Sequence, residues 1–475
     1  MLFNSFQFLF FFILVYSLYR ILDHKGQNGM LLAASYIFYG SWNWRFLGLI
    51  WLTTVLDYFC GRWIEASDAH PVRRKQILGF SVSTNLIVLG LFKYFNFFAS
   101  NFQHLAAFVG WHVDPVTLHV ILPVGISFYT FQSMSYVIDV YRREHRAASS
   151  LRDFALYVAF FPHMIAGPIQ RATNLLVQIS RERKLNLEQS YEGCWLVFWG
   201  LFKKVFVADN LARIVSEIFS QDFRTLSGAS VLMGVYAFAF QIYGDFSGYS
   251  DMARGLAKLM GFELVVNFKH PYFVTNPREF WRNWHISLSN WLRDYLYIPL
   301  GGNRSGEFRT YLNLFLTMLL GGLWHGAAWT FVIWGAYQGI TLMIHRLLEP
   351  ALQKIRFENP VSKNLWFAAR VIFMFHVTCL GWLFFRSSSL AQAGGMLESI
   401  LFNWRPFDPP AVETAIRIFQ ITWLLLVVEV FQKVKDDLLI VFHWPVWVKA
   451  PLYATLFYCI LLYGTSAQEF IYFQF

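Results

Sequence analysis

Charge is what this sequence has least of. Only 14% of its 475 residues are Asp, Glu, Lys or Arg, against about 25% in an average soluble domain. Cysteine is scarce as well. Cys60, Cys194, Cys379 and Cys459 are scattered along the chain, and none has metal-ligand spacing to another Cys or to His. Zinc is therefore not supported, the composition excludes a disulfide scaffold, and the four read as small buried hydrophobes. Linkers, low-complexity stretches and internal repeats are missing, so a single integral domain over 1–475 is expected, without a soluble catalytic part. Acidic residues are fewer than basic ones, 29 against 39. The basic residues sit in short loops between apolar runs, a pattern of cytoplasmic loops rather than of a nucleic-acid face.

What the chain has in excess is apolar: 56% hydrophobic residues, with 51 Phe, 19 Trp and 23 Tyr. That much apolar surface cannot be covered with polar groups in water, so its solvent is lipid. A crossing helix needs about 20 mostly apolar residues. Runs near 3–22, 29–42, 44–60, 77–99, 117–140, 190–207, 228–246, 310–325, 327–348, 365–385, 415–432 and 446–464 qualify. The expected fold class is an all-α integral membrane bundle of about 10–12 spans, with re-entrant and interfacial helices. Segment 153–169, carrying Pro162, His163, Gly167 and Pro168, is the best re-entrant candidate, tolerable in a membrane only if protein buries it. Residues Met1–Leu22 lack a basic start and a cleavage site, and read as a retained span.

Orientation follows from arithmetic on the first five spans. With the N-terminus outside, the inner loops hold Arg20, Lys25, Arg62, Arg73, Arg74, Lys75, Arg142, Arg143, Arg146 and Arg152, and the outer loops only Arg45. That bias predicts an outward N-terminus. Lys203 and Lys204 interrupt an apolar run, and are expected to snorkel.

Four blocks could carry chemistry. In Phe280–Arg304, Trp281, Trp284, Leu288, Trp291, Leu292 and Tyr295 recur at spacings of three and four, predicting one interfacial helix. Arg282, Asn283, Asn290, Arg293 and Asp294 fall on its other face, and His285 at the flank. In Gly321–Gly339, His325 lies within a long apolar run. An ionisable group at membrane depth is a functional candidate, and imidazole can take a proton from a hydroxyl. A neutral core histidine is the equally weighted alternative. Gly321, Gly322, Gly326 and Gly335 permit a helix break and close approach of another backbone. Asp245–Gly255 places Asp245, Ser247, Ser250 and Asp251 at the end of an apolar span. Ser127, Thr130, Gln132, Ser133 and Ser135 line another, where helix–helix hydrogen bonding is the preferred reading.

Five strings in order, LPVGISFYTFQSMSYVIDVYR, FFPHMIAGPIQR, DFSGYSDMARG, EFWRNWHISLSNWLRDYLYIPLGGNR and LLGGLWHGAAWTFVIWGAYQG, resemble the bacterial branch of the membrane-bound O-acyltransferase family, whose members include alginate, peptidoglycan and cellulose acetylation subunits. They cover about 120–340; MLFNSFQFLF and FIYFQF extend the likeness to both ends. The resemblance implies helices around a central tunnel in a bacterial inner membrane. It implies His325 as the catalytic residue and His285 as a second histidine. It also implies acetyl-CoA as donor, bound on the cytoplasmic side where Lys269, Arg278, Arg282, Arg293, Arg304 and Arg309 can meet phosphates. A periplasmic SGNH-hydrolase-like partner and a polysaccharide acceptor complete that expectation. No metal and no bound cofactor are expected. Trp324, Asn290, Arg282, Arg293, Asp245 and Ser247 are the candidate substrate-binding residues. A transporter or flippase is the rival reading, weakened by the lack of inverted repeats and of charged residues within spans.

Overall fold

The computed structural model describes residues 1–114, 116–118, 120–355, 357–464 and 470–471; most of the closing string FIYFQF lies outside them. All regular structure among the described residues is helical. Helix starts follow local chemistry. Ser5, Asp23, Ser150, Asn276, Ser389 and Asp408 each accept a hydrogen bond from a backbone amide in the first turn, and Pro71, Pro277, Pro360 and Pro409 open helices where no amide is needed. Each of the twelve apolar runs overlaps helical structure. Pro71–Phe108, Pro360–Arg386, Pro409–Lys435 and Val446–Tyr463 are long and apolar enough to cross a membrane individually. Phe6–Ile21 and Leu390–Phe402 are apolar but shorter.

The chain forms two compact units, Met1–Val197 with Ser250–Val265, and Phe198–Tyr249 with Val266–Phe475. In the first, helices Leu47–Ala66, Pro71–Leu89 and Ile126–Tyr141 pack together. Their shared interior holds Asp57, fully buried. Ser81 donates to its carboxylate at 2.6 Å, Asn85 donates at 3.0 Å to each oxygen, and Ser133 donates a further short bond. Gln132 donates to the Tyr157 carbonyl at 2.5 Å and Ser135 to the Gln132 carbonyl at 2.7 Å, so the hydroxyl- and amide-bearing helix uses these groups for packing. The span expected from 117 becomes helical only at Ile126, after Pro123 and a left-handed Gly125. Segment 153–169 is broken into helices Leu151–Ala159 and Phe161–Met164, and every residue from Phe154 to Gln170 is buried.

In the second unit, helices Glu307–His325 and Trp329–Leu352 form an antiparallel pair whose backbones touch at Gly322 and Gly335. A Cβ on Gly322 would sit 2.3 Å from the Phe331 carbonyl oxygen, a distance no side chain tolerates. The glycines expected to permit close approach do so here.

Three expectations are corrected. The block 280–304 is not one helix: Pro277–Asn283 ends, His285 adopts φ +43°, and Ile286–Leu292 begins on a new axis. Trp281 and Tyr295 therefore do not share one continuous stripe, and Trp284, Leu288, Trp291 and Leu292 are buried in protein rather than turned to lipid. Lys203 and Lys204 do not snorkel. Lys204 is buried between Asp209 at 2.8 Å and Asp245 at 2.7 Å, and Lys203 lies over the Trp199 and Tyr243 rings, 5.9 Å from each, because opposite charge and ring faces are nearer than solvent. Of the cysteines, Cys60 and Cys379 are buried, but Cys194 is exposed and Cys459 intermediate; a thiol in lipid needs no protein cover.

Candidate active site

His325 closes helix Glu307–His325, where extended Gly326 ends the hydrogen-bond ladder. It is 4% exposed and enclosed by rings. Trp324 lies 4.9 Å away, Trp334 5.1 Å and Phe385 5.3 Å between centroids, all near edge-on. Trp334 stacks on Trp382 at 6.1 Å, and Trp382 reaches Trp284 at 4.8 Å. The three indoles are among the largest fully buried side chains, so the histidine sits in a water-poor chamber where electrostatic interactions are strong.

His285 arrives from a different element. Its left-handed backbone, a conformation His, Asn and Asp enter more readily than most residues, turns the chain between two short helices and leaves the ring fully buried. The two imidazole centroids are 6.5 Å apart, with Trp324 6.0 Å from His285. Phe246 presses edge-on against His285 at 4.6 Å. The Nδ1 of His285 lies 3.2 Å from the Asn267 Oδ1. That oxygen also accepts from the Ser287 amide at 3.2 Å and hydroxyl at 2.9 Å. An oxygen acceptor at Nδ1 assigns the proton to Nδ1 and makes Nε2 the accepting nitrogen. Burial pushes this imidazole down from its ordinary value to about 3, so it is neutral. Asn267 was not legible in the sequence: it lies in an irregular loop, 18 residues before His285, and belongs to none of the strings.

The remaining candidates divide. Trp324 belongs to the chamber. Asp245 is occupied otherwise, pairing with Lys204 and accepting the Ile471 amide at 2.7 Å. Ser247 is buried. Asn290 is half-buried; Arg293 is exposed and pairs with Asp294 at 2.6 Å. Arg282 is exposed and lines a separate cavity with Arg278 and Glu349. Of the other cations, Lys269 pairs with Asp436 at 3.0 Å and Arg278 makes a two-pronged contact with Glu349 at 2.8 and 2.6 Å, while Arg304 and Arg309 stay exposed. No group of three or more His, Cys, Asp or Glu able to hold a metal occurs among the described residues.

Two imidazoles in a dry aromatic chamber, one with its tautomer fixed by a neighbouring amide, can move a proton without a metal. The chain is 46% identical over 400 residues to a probable alginate O-acetylase of Pseudomonas putida, covering 83% of this chain and 79% of that protein. It is 45% identical over 404 residues to the protein of the same name from Azotobacter vinelandii, with 84% and 78% covered. Against the peptidoglycan O-acetyltransferase of Helicobacter pylori it is 36% identical over 433 residues, covering 84% and 80%. The model of the membrane-bound O-acyltransferase family matches residues 36–385, which include both histidines and every ring around them: this multi-pass membrane protein belongs to the membrane-bound O-acyltransferase family.

Proposed function

We propose that the protein transfers acetyl groups from cytoplasmic acetyl-CoA across the membrane to a hydroxyl acceptor, on a periplasmic partner or a polysaccharide. An alginate-like polymer is the first choice, and cellulose or peptidoglycan the next. The observation that carries this reading is the pairing of His325 with His285 at 6.5 Å inside the indole chamber. His325 accepts the hydroxyl proton as the oxygen attacks the thioester carbonyl. The C–O bond forms, the C–S bond breaks, and the thiolate leaves with the proton returned by the imidazolium. His285, neutral and held by Asn267, orients the reacting group through Nε2. Exposed Arg304 and Arg309 are left to meet the donor's phosphates, since Lys269, Arg278 and Arg293 are engaged by acids and Arg282 lines a separate cavity. The N-terminus is outside, and the loops at 61–76 and 141–152 face the cytoplasm.

The test is acetyl transfer from radiolabelled acetyl-CoA by purified protein, wild type against His325→Ala. Loss of transfer at equal abundance supports the reading. Undiminished transfer by the variant, or no turnover of acetyl-CoA by wild type, overturns it. Sidedness is tested separately. A cysteine placed beside position 325, in a background without Cys60, Cys194, Cys379 and Cys459, labels from both faces with small reagents, and labelling from the cytoplasm alone contradicts passage through the membrane.

A further inference from the structure

We propose that the groove between helices Trp329–Leu352 and Pro360–Arg386 binds an anionic phospholipid, its phosphate at Arg282, Lys363 and Arg370 and one acyl chain along Thr341, Met374 and Val377. Two cavities, of about 540 and about 640 Å³, share Asn276, His345, Leu352, Trp366 and Arg370 and so make one continuous depression. Its halves differ in chemistry. The first is almost wholly apolar, walled by Tyr337, Ile344, Leu348, Phe373, Met374 and Val377. The second is ionic, with Arg278, Arg282, Lys363 and Arg370 against Glu279 and Glu349.

The ionic half has a positive surplus. Glu349 is taken by Arg278 at 2.6 Å, and Glu279 accepts the Thr275 amide and hydroxyl at 2.9 and 3.0 Å. Arg282 and Lys363 have no ion-pair partner among the described residues, and Arg370 contacts the Thr275 carbonyl at 3.5 Å and is shared electrostatically with Glu279, so four cations face two carboxylates. An anion with several acceptor oxygens matches this arrangement.

Position selects the kind of anion. The basic half lies at the helix ends around 349–363, whereas the apolar half runs along the helix flanks. There Ile344, Leu348 and Phe373 are 50%, 48% and 70% exposed, apolar surface of the kind that lipid chains cover in a membrane protein. Trp366 stands at the junction, the level at which indoles anchor to headgroups. A charge at the end of an apolar run reproduces the layout of a phospholipid, and basic pockets between spanning helices are suited to anionic headgroups. A coenzyme phosphate would match the mouth but would leave the apolar flank uncovered.

Full-length protein in detergent is incubated with an equimolar mixture of dioleoyl phosphatidylglycerol and dioleoyl phosphatidylcholine, and the retained lipid is read by native mass spectrometry. Wild type should keep phosphatidylglycerol about tenfold over phosphatidylcholine, and Arg282→Gln/Lys363→Gln/Arg370→Gln should bring the ratio to about one. Val377→Trp, which fills the apolar half, should lower retention of both lipids. Should the triple variant not fold, Lys363→Glu at an exposed position carries the test, with a drop of about fivefold. Equal retention by wild type overturns the proposal, as does an unchanged ratio in the folded charge variants. Displacement of phosphatidylglycerol by free coenzyme A, but not by inorganic phosphate, also overturns it, by assigning the mouth to the acyl donor.

Discussion

Two regions of this molecule bury polar groups completely and treat them in opposite ways. Around Asp57, the neighbouring helices supply Ser81, Ser133 and Asn85 as donors to the carboxylate, so its acceptor capacity is largely spent inside the protein. Around His325 and His285, the neighbours are rings, and Asn267 fixes one nitrogen of His285 while its accepting nitrogen is not the one so fixed. A polar group saturated by its own fold holds helices together. One enclosed by apolar rings is held where water competes little for its proton. The distinction is made by partners, not by depth.

Substitutions can break the comparison. The largest effect is expected from His325→Ala, a loss of about 10²–10⁴ in acetyl transfer with abundance retained; a thermal melt close to wild type would place the loss in chemistry. Asn267→Ala should lower kcat with little change in the Michaelis constant for the donor, since it frees the His285 tautomer, and His285→Ala should fall at least as far. Asp57→Ala should do the reverse. Three donors lose their acceptor at about 1–3 kcal/mol each, so the melting temperature falls markedly while specific activity of the surviving folded protein stays near wild type. Specific activity collapsing with Asp57 would show that its carboxylate is more than structural. A further contrast is titration. Burial, reinforced by Lys433, Lys203 and Lys269, lowers His270 in its loop to about 4. A group that must bind its proton in the unfolded chain first makes stability fall as pH drops below about 6.5, and the loss continues to the folded value. His270→Asn, compatible with the left-handed backbone at this position, should flatten that decline between pH 7 and 5 by about 1–2 kcal/mol. The smallest effect is expected from charge reversal at Arg304 and Arg309, a several-fold rise in the donor's Michaelis constant that weakens with added salt.

The helical class was legible because hydrophobic runs of crossing length have few other uses. The pairing of His285 with His325 was legible only through the strings that carry them, since nothing in local spacing joins residues so far apart. What periodicity missed is instructive. The stripe from Trp281 to Tyr295 fits a helix, yet His285 breaks it, because apolar spacing does not register one residue turning left-handed. Lys204 resembles a snorkelling residue until its partners Asp209, five residues on, and Asp245, in another helix, are seen. Asn267 had no signal beyond its type. Asp245 has the composition of a ligand-binding residue and the contacts of a structural one.

The left-handed turn at His285 has a consequence for what could replace it. Few side chains occupy that backbone region without strain: glycine freely, and asparagine, aspartate and histidine more readily than others. The fold therefore filters variants at this position before chemistry does. Alanine there removes an imidazole and strains the turn at once, whereas asparagine removes only the imidazole. A comparison of His285→Asn with His285→Ala would thus separate the two costs, and among replacements that keep a polar side chain, asparagine and aspartate are those the backbone would admit most cheaply.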